Sequence, residues 1–159
     1  MNDINPAFVM PDVQSSVDTR QIVIQRVGVK SVRYPLQLRI GNAVSPTVAM
    51  WSLDVALPAE QKGTHMSRFV AWLDALDAPL DAAALRTQLD VMLDKLHADE
   101  GRIDARFSFF LRKRAPVSGV QSLLDYQGRW IAERRDGRTA IWAEVAVPVK
   151  SLCPCSKEI

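Results

Sequence analysis

The feature that most constrains the fold is a change in the spacing of apolar residues along the chain, from every second residue to helical spacing and back. Apolar and polar residues alternate in 32–40 and 47–57, which is the pattern of half-buried strands. Residues 66–76 and 85–96 instead place apolar side chains at helical spacing. Three further strands are predicted over 103–111, 120–133 and 139–150. This order predicts an α+β fold, in which an antiparallel β-sheet has two helices packed on one face.

Proline, glycine and small polar residues predict where the strands turn. Gly41-Asn42 and Ser45-Pro46 mark a turn between the first two long strands, and Asp136-Gly137 predicts a tight hairpin between the last two. Pro35 has no N–H to donate to a neighbouring strand, so we expect its strand at an edge of the sheet or at a bulge. A separate short strand is expected over 22–29.

The two predicted helices carry recognisable boundary residues. Thr64 or Ser67 is placed to cap the first helix and Asp81 to cap the second, because their side chains accept hydrogen bonds from the N–H groups of a first turn. Pro79 predicts the end of the first helix, and Gly101 predicts the end of the second.

Composition and charge narrow the class of protein. The chain has 159 residues, 48% hydrophobic and 24% charged, which is typical of a globular domain, here expected over 21–159 after an extended polar arm over 1–20. A net charge of +2 gives no strong attraction for nucleic acid, and no apolar run is long enough to cross a bilayer. The first residues lack the features of a secretory signal, so we expect a cytoplasmic protein with neither nucleic acid nor membrane as a partner.

Two cysteines near the end of the chain are candidates for metal chemistry. Cys153 and Cys155 flank Pro154 directly after a predicted strand. In the cytoplasm such a pair favours metal ligands or redox groups over a structural disulfide, although two cysteines without a special role remain an alternative. Because the proline between them is rigid, we expect one thiolate to bind a metal while the other lies beside the site.

A second candidate lies where the second strand leads into the first helix, in the segment K-G-T-H-M-S-R-F over 62–69. The N–H groups of a helix start attract anions, and basic or hydroxyl side chains nearby add donors. The alternative is a helix start whose charges are simply solvated. His97, near the end of the second helix, is expected to be solvated or partly packed. Glycine-rich phosphate-binding loops of the common nucleotide-binding motifs are absent from the sequence.

Three segments together resemble the type IB GTP cyclohydrolases. They are M-P-D-V-Q-S-S-V-D-T-R over 10–20, K-G-T-H-M-S-R-F over 62–69 and S-L-C-P-C-S-K-E-I over 151–159. This family has the tunnelling fold, in which β-β-α-α-β-β modules assemble around a central barrel, and the element order predicted above agrees with one such module. The resemblance therefore implies a homo-oligomer, expected to be a tetramer, and a second module that this chain does not include.

The resemblance also implies a function and its residues. The family hydrolyses GTP to 7,8-dihydroneopterin triphosphate and formate, the first step of folate biosynthesis, with a divalent metal, zinc or manganese. Cys153 corresponds to the catalytic metal ligand of the family, and Cys155 is its neighbour outside the coordination sphere. Substrate-binding residues are expected among Lys62, His65, Ser67 and Arg68. The family's remaining ligands would follow Ile159, so the 159 residues alone are not expected to turn over GTP.

Two alternatives remain open from the sequence. One is a nitrile reductase of the same fold, in which a cysteine acts as a covalent nucleophile. The other is a non-catalytic fragment or oligomerisation domain whose cysteine pair is redox-active. Bound metal and GTP turnover distinguish the cyclohydrolase from both.

Overall fold

The part of the chain that the structure describes, residues 16–149 of a computed structural model, contains five strands and two helices. In chain order these are β1 (Ile24–Ile40), β2 (Ala43–Leu57), α1 (Met66–Asp74), α2 (Ala84–Leu96), β3 (Gly101–Arg114), β4 (Gln121–Arg135) and β5 (Arg138–Ala146). The strands form one antiparallel sheet in the order β1-β2-β3-β4-β5. The predicted α+β class is therefore confirmed. The start of the predicted arm and the Cys153-Pro154-Cys155 segment lie outside the described residues.

The two faces of the sheet differ because successive side chains of a strand point to opposite sides. In β2, Trp51, Leu53 and Val55 are fully buried, whereas Ser52 and Asp54 between them lie on the other face and remain partly exposed. The helices add Phe69, Trp72 and Leu73 from α1 and Leu85, Leu89, Met92, Leu93 and Leu96 from α2 to the same core. Both helices therefore pack on one face of the sheet, as the apolar spacing predicted.

Two of the predicted helix ends need correction. α1 begins after His65, and its first turn has no side-chain cap, so neither Thr64 nor Ser67 caps it. It ends at Asp74, well before Pro79. The chain leaves the helix early because Leu80, which is buried, must return to the sheet, where its N–H donates to the carbonyl of Gln37 at 2.8 Å.

The second helix begins as predicted and ends earlier than predicted. The Asp81 carboxylate accepts a hydrogen bond from the N–H of Ala84, the first residue of the helix, at 2.8 Å, whereas the residue directly before the helix is Ala83 rather than Asp81. The helix ends at Leu96, and His97 directly after it has the left-handed conformation with φ 53° and ψ 46°. Gly101 is the first residue of β3 rather than the end of the helix.

The first hairpin differs in detail from its prediction. β1 is one edge strand, as Pro35 predicted, and it includes both the expected short strand and the longer one. The pairing with β2 shifts register between Val29 and Val32, where the two predicted strands join, and also between Ile24 and Val27. The turn lies at Gly41-Asn42, whereas Ser45 and Pro46 belong to β2 and pair with β1. A proline is tolerated there because β2 pairs with β3 only from Ala49 onward, so the missing N–H faces no partner strand.

The last hairpin agrees with its prediction. Asp136 and Gly137 connect β4 to β5 with φ of 50° and 69°, the pair of positive values that a type I′ turn requires. Neither described helix is long and apolar enough to cross a membrane.

A side chain at position 128 would collide with the core. A Cβ built on Gly128 lies 2.5 Å from Cε2 of Phe107, whose ring is held edge-on against Trp130 with centroids 4.6 Å apart. We therefore expect Gly128→Ala to lower the free energy of unfolding by about 1–3 kcal/mol, the usual cost of overpacking. The measurement is the midpoint of urea unfolding.

A second substitution tests the steric explanation. Phe107→Leu removes the ring that the new methyl group would meet, so Gly128→Ala should cost clearly less in that background than in the wild type. Equal costs in the two backgrounds would contradict the explanation.

Candidate functional site

Two segments that are distant in the sequence meet at the start of α1. Val17 forms an isolated antiparallel bridge with Gln61, and the N–H of Asp18 donates to the carbonyl of Glu60 at 2.9 Å. The end of the 10–20 segment and the beginning of the 62–69 segment therefore lie side by side. Two of the three segments that carry the family resemblance form one region of the molecule.

Asp18 is the buried charge of this region. It is 7% exposed and accepts hydrogen bonds from Nη2 of Arg20 at 2.7 Å, from Nε at 3.0 Å and from the Arg20 backbone N–H at 2.9 Å. These hydrogen bonds lower the pKa of Asp18 from 3.8 to about 2, and the nearby charge of Lys62 contributes to the same direction. The carboxylate in turn raises the pKa of Arg20. Asp18 thus connects the arm to the segment that precedes α1.

A cleft of about 150 Å³ lies beside the first turn of α1. We call it the helix-start cleft, and its lining consists of Gln61, Gly63, Thr64, His65, Arg68, Leu96 and His97. These lining residues include no carboxylate, and the first turn of α1 has no acidic residue. Because the first N–H groups of a helix lack acceptors within the helix and carry partial positive charge, the helix-start cleft is suited to an anion.

The end of α2 is held against the start of α1 by two hydrogen bonds that run in opposite directions. Nη1 of Arg68 in α1 donates to the carbonyl of Lys95 in α2 at 3.4 Å. Nζ of Lys95 donates back to the carbonyl of Ala71 at 3.3 Å. Arg68 therefore both lines the cleft and holds its two walls together.

The predicted substrate-binding residues occupy different positions around α1. His65 and Arg68 line the helix-start cleft, whereas Lys62 lines a neighbouring apolar hollow with Leu57 and Met66. Ser67 is exposed, and it is not among the residues lining either cavity.

Three further residues lie in this region that were not predicted to bind substrate. Asp18, Arg20 and His97 are brought to it by the bridge to Gln61 and by the pairing of the helices. Spacing along the chain does not show such contacts.

No metal site is formed by the described residues themselves. Within 16–149 there is no group of three or more histidine, cysteine, aspartate or glutamate side chains that could hold a metal ion. Cys153 and Cys155 lie outside these residues, so their predicted roles remain predictions.

The family is identified by comparison with known proteins. The family described as type I GTP cyclohydrolase folE2 matches residues 10–159. The chain belongs to this family. The resemblance carried by the three sequence segments is thereby confirmed, and the match includes all of the helix-start cleft.

Curated relatives support the same family. The chain is 75% identical over 154 residues to GTP cyclohydrolase FolE2 of Methylibium petroleiphilum, covering 94% of the chain and 52% of that protein. It is 65% identical over 159 residues to GTP cyclohydrolase FolE2 2 of Cupriavidus metallidurans, covering 100% of the chain and 60% of that protein. Identity to GTP cyclohydrolase FolE2 of Paraburkholderia xenovorans is 62% over 160 residues, covering 100% of the chain and 60% of that protein. The chain thus spans 52% to 60% of the length of these relatives.

The Asp18–Arg20 pair should make stability depend on pH. Because the native pKa of Asp18 is about 2, against 3.8 for an ordinary aspartate, the pair stabilises the fold fully above about pH 4 and loses this effect as the pH falls toward 2. We expect Asp18→Asn to lower the unfolding temperature at pH 7, and the difference from wild type to shrink between pH 4 and pH 2. Thermal unfolding across this range measures it.

Arg20→Gln is the matched variant, since it removes the other partner of the pair. It should show the same dependence on pH, and the double variant should be little less stable than either single one. A destabilisation by Asp18→Asn that stays constant down to pH 2 would rule out the ion pair as its cause.

Proposed function

We propose that the protein to which this chain belongs is a GTP cyclohydrolase, which hydrolyses GTP to 7,8-dihydroneopterin triphosphate and formate in the first step of folate biosynthesis. The family match over residues 10–159 supports this activity, as do the names of relatives that are 62% to 75% identical. Because the chain spans 52% to 60% of these relatives, we propose the activity for the whole protein.

The helix-start cleft is the observation that carries this proposal. GTP brings a triphosphate, and a recognition site for it needs donors and positive charge in a place that excludes carboxylates. The cleft provides His65 and Arg68 beside the first turn of α1, and its lining has no acidic side chain. We assign the triphosphate to this cleft, with Lys62 and Ser67 as donors at its margin.

The proposed cofactor is a divalent metal ion, zinc or manganese, with Cys153 as a ligand and Cys155 beside the site. A cysteine thiolate is a strong ligand for zinc. The described residues do not complete such a site, since no group of three or more potential ligands occurs within 16–149. The described residues by themselves therefore do not provide the three protein ligands of a catalytic zinc site. When bound, such an ion supplies an activated water for hydrolysis.

The proposed assembly is a homo-oligomer, a tetramer in the simplest case, located in the cytoplasm where GTP is available. The outer edge of β5 supports association: it carries the exposed Trp142 and Val145, and β5 contains neither proline nor lysine, the residues that commonly protect an edge strand. β1 at the other edge is protected by Pro35, Lys30 and two bulges.

The activity and the metal are tested together on the full-length protein. We expect it to release formate from GTP and to hold about one divalent ion per subunit, as a catalytic metal site requires. Cys153→Ala should remove both the ion and the formate release, because a thiolate ligand is lost. Elemental analysis and a formate assay measure the two effects.

Cys155→Ala is the matched control, and we expect it to keep most of the metal. If the full-length protein left GTP unchanged and contained no metal while its thiols titrated freely, the cyclohydrolase proposal would be wrong. A redox role for the cysteine pair would then be favoured.

A further inference from the structure

An apolar hollow lies between the start of β1, the end of β2 and the first residue of α1. Its volume is about 310 Å³, and apart from Lys62, Gly63 and Thr64 its lining is apolar, formed by Ile24, Val27, Leu57 and Met66. Leu57 is buried, whereas Ile24 and Met66 are 36% and 38% exposed. The hollow therefore presents connected apolar surface that the described residues leave uncovered, and such surface commonly marks an interaction site.

The N-terminal arm joins the described part of the molecule directly beside this hollow. Val17 forms its bridge with Gln61, the residue before Lys62, and residues 1–15 lie outside the described part of the chain. Because the bridge is antiparallel, the chain before Val17 starts out in the direction in which the chain after Gln61 runs. That direction leads along Lys62 and Gly63, both of which line the hollow.

The sequence of the arm contains an apolar run that matches the hollow in character. Residues 7–10 read A-F-V-M, and Phe8 is the only aromatic residue among the first twenty. Phe8 precedes Val17 by nine residues, and an extended chain of that length spans about 30 Å. Since Lys62 adjoins the residue that pairs with Val17, the hollow lies well within this reach. A tether this short keeps the run beside the hollow at an effective concentration on the order of millimolar.

We propose that the arm folds back onto the chain that carries it, and that Phe8 fills the apolar hollow against Leu57 and Met66. An aromatic ring buries a large apolar area, and the lining contains no carboxylate that would lose its hydration. Gly63 and Thr64 line both the hollow and the helix-start cleft, so the docked arm covers the outer side of the segment that forms the cleft. The contact anchors the arm and takes no part in bond breaking.

The test observes the methionine methyl groups of the full-length protein by NMR, each signal being assigned by replacing that methionine with leucine. A phenyl ring displaces the resonance of a methyl group that lies against it. Phe8→Leu removes the ring and keeps an apolar side chain, so the Met66 signal should shift. Met50 is the matched control, because it is 39% exposed but lies on the face of the sheet without helices. Its signal should stay where it is.

Mixed oligomers distinguish the chain's own arm from the arm of a neighbouring subunit. They combine labelled wild-type subunits with an excess of unlabelled Phe8→Leu subunits, and the labelled Met66 signal should keep its wild-type position. A shift there to the position seen in Phe8→Leu would assign the arm to a neighbour and overturn the proposal. A Met66 signal that is the same in the wild type and in Phe8→Leu would also overturn it. Formate release tests the proposed function separately, so neither result decides the other.

Discussion

The location of the candidate site depends on the contact between two tryptophans in the core. The rings of Trp51 in β2 and Trp72 in α1 pack edge to face, with centroids 5.8 Å apart and an angle of 83° between their planes. Both side chains are almost completely buried, and such aromatic pairs stabilise a core beyond the area that they bury. Because α1 is fixed against β2 in this way, its first turn lies directly beyond the end of that strand. The two hydrogen bonds between α1 and α2 then bring the end of α2 to the same place.

The face of the sheet without helices is stabilised by a different means. Asp104 accepts hydrogen bonds from Nη2 of Arg129 at 2.6 Å and from Nη2 of Arg102 at 3.5 Å. Burial alone would raise the pKa of Asp104, but Arg129 and the neighbouring arginines hold it below its usual value. Asp54 lies 3.9 Å from Nε of Arg26, and there burial is the larger effect, so its pKa is raised. On this face acids and bases neutralise one another.

This comparison separates the two charged regions of the molecule. The arginines around Asp104 already have carboxylate partners, so an incoming anion would have to replace them. The helix-start cleft presents its cations without a carboxylate in its lining. Positive side chains on the face without helices therefore stabilise the sheet through ion pairs, whereas those in the helix-start cleft are available to bind an anion.

The sequence was sufficient for those features that depend on local spacing. The alternation of apolar and polar residues predicted which face of β2 is buried. The Asp136-Gly137 pair, which favours two successive positive φ angles, predicted the last hairpin. The predictions were wrong where contacts between distant segments determine the ends of an element. α1 ends early because the N–H of Leu80 donates to Gln37 in the sheet. Pro46 lies within β2 because no third strand pairs with that part of β2. His97 is exposed, as expected, but its place beside the start of α1 follows from a left-handed backbone angle and from the neighbouring helix, and neither leaves a pattern in the sequence.

The topology places the helix-start cleft and the end of β5 at opposite ends of the sheet. The cleft lies near the end where Val55 pairs with Gly101, whereas β5 ends at Ala146, which pairs with Gln127 next to Ser108. Seven residues of β3 separate these ends, or about 20 Å along an extended strand. Cys153 follows Ala146 by seven residues. An extended chain of that length reaches about 20–25 Å, which is as long as the distance along β3. The covalent connection after β5 therefore permits a metal held by Cys153 to act at the cleft of the same subunit or of a neighbouring one.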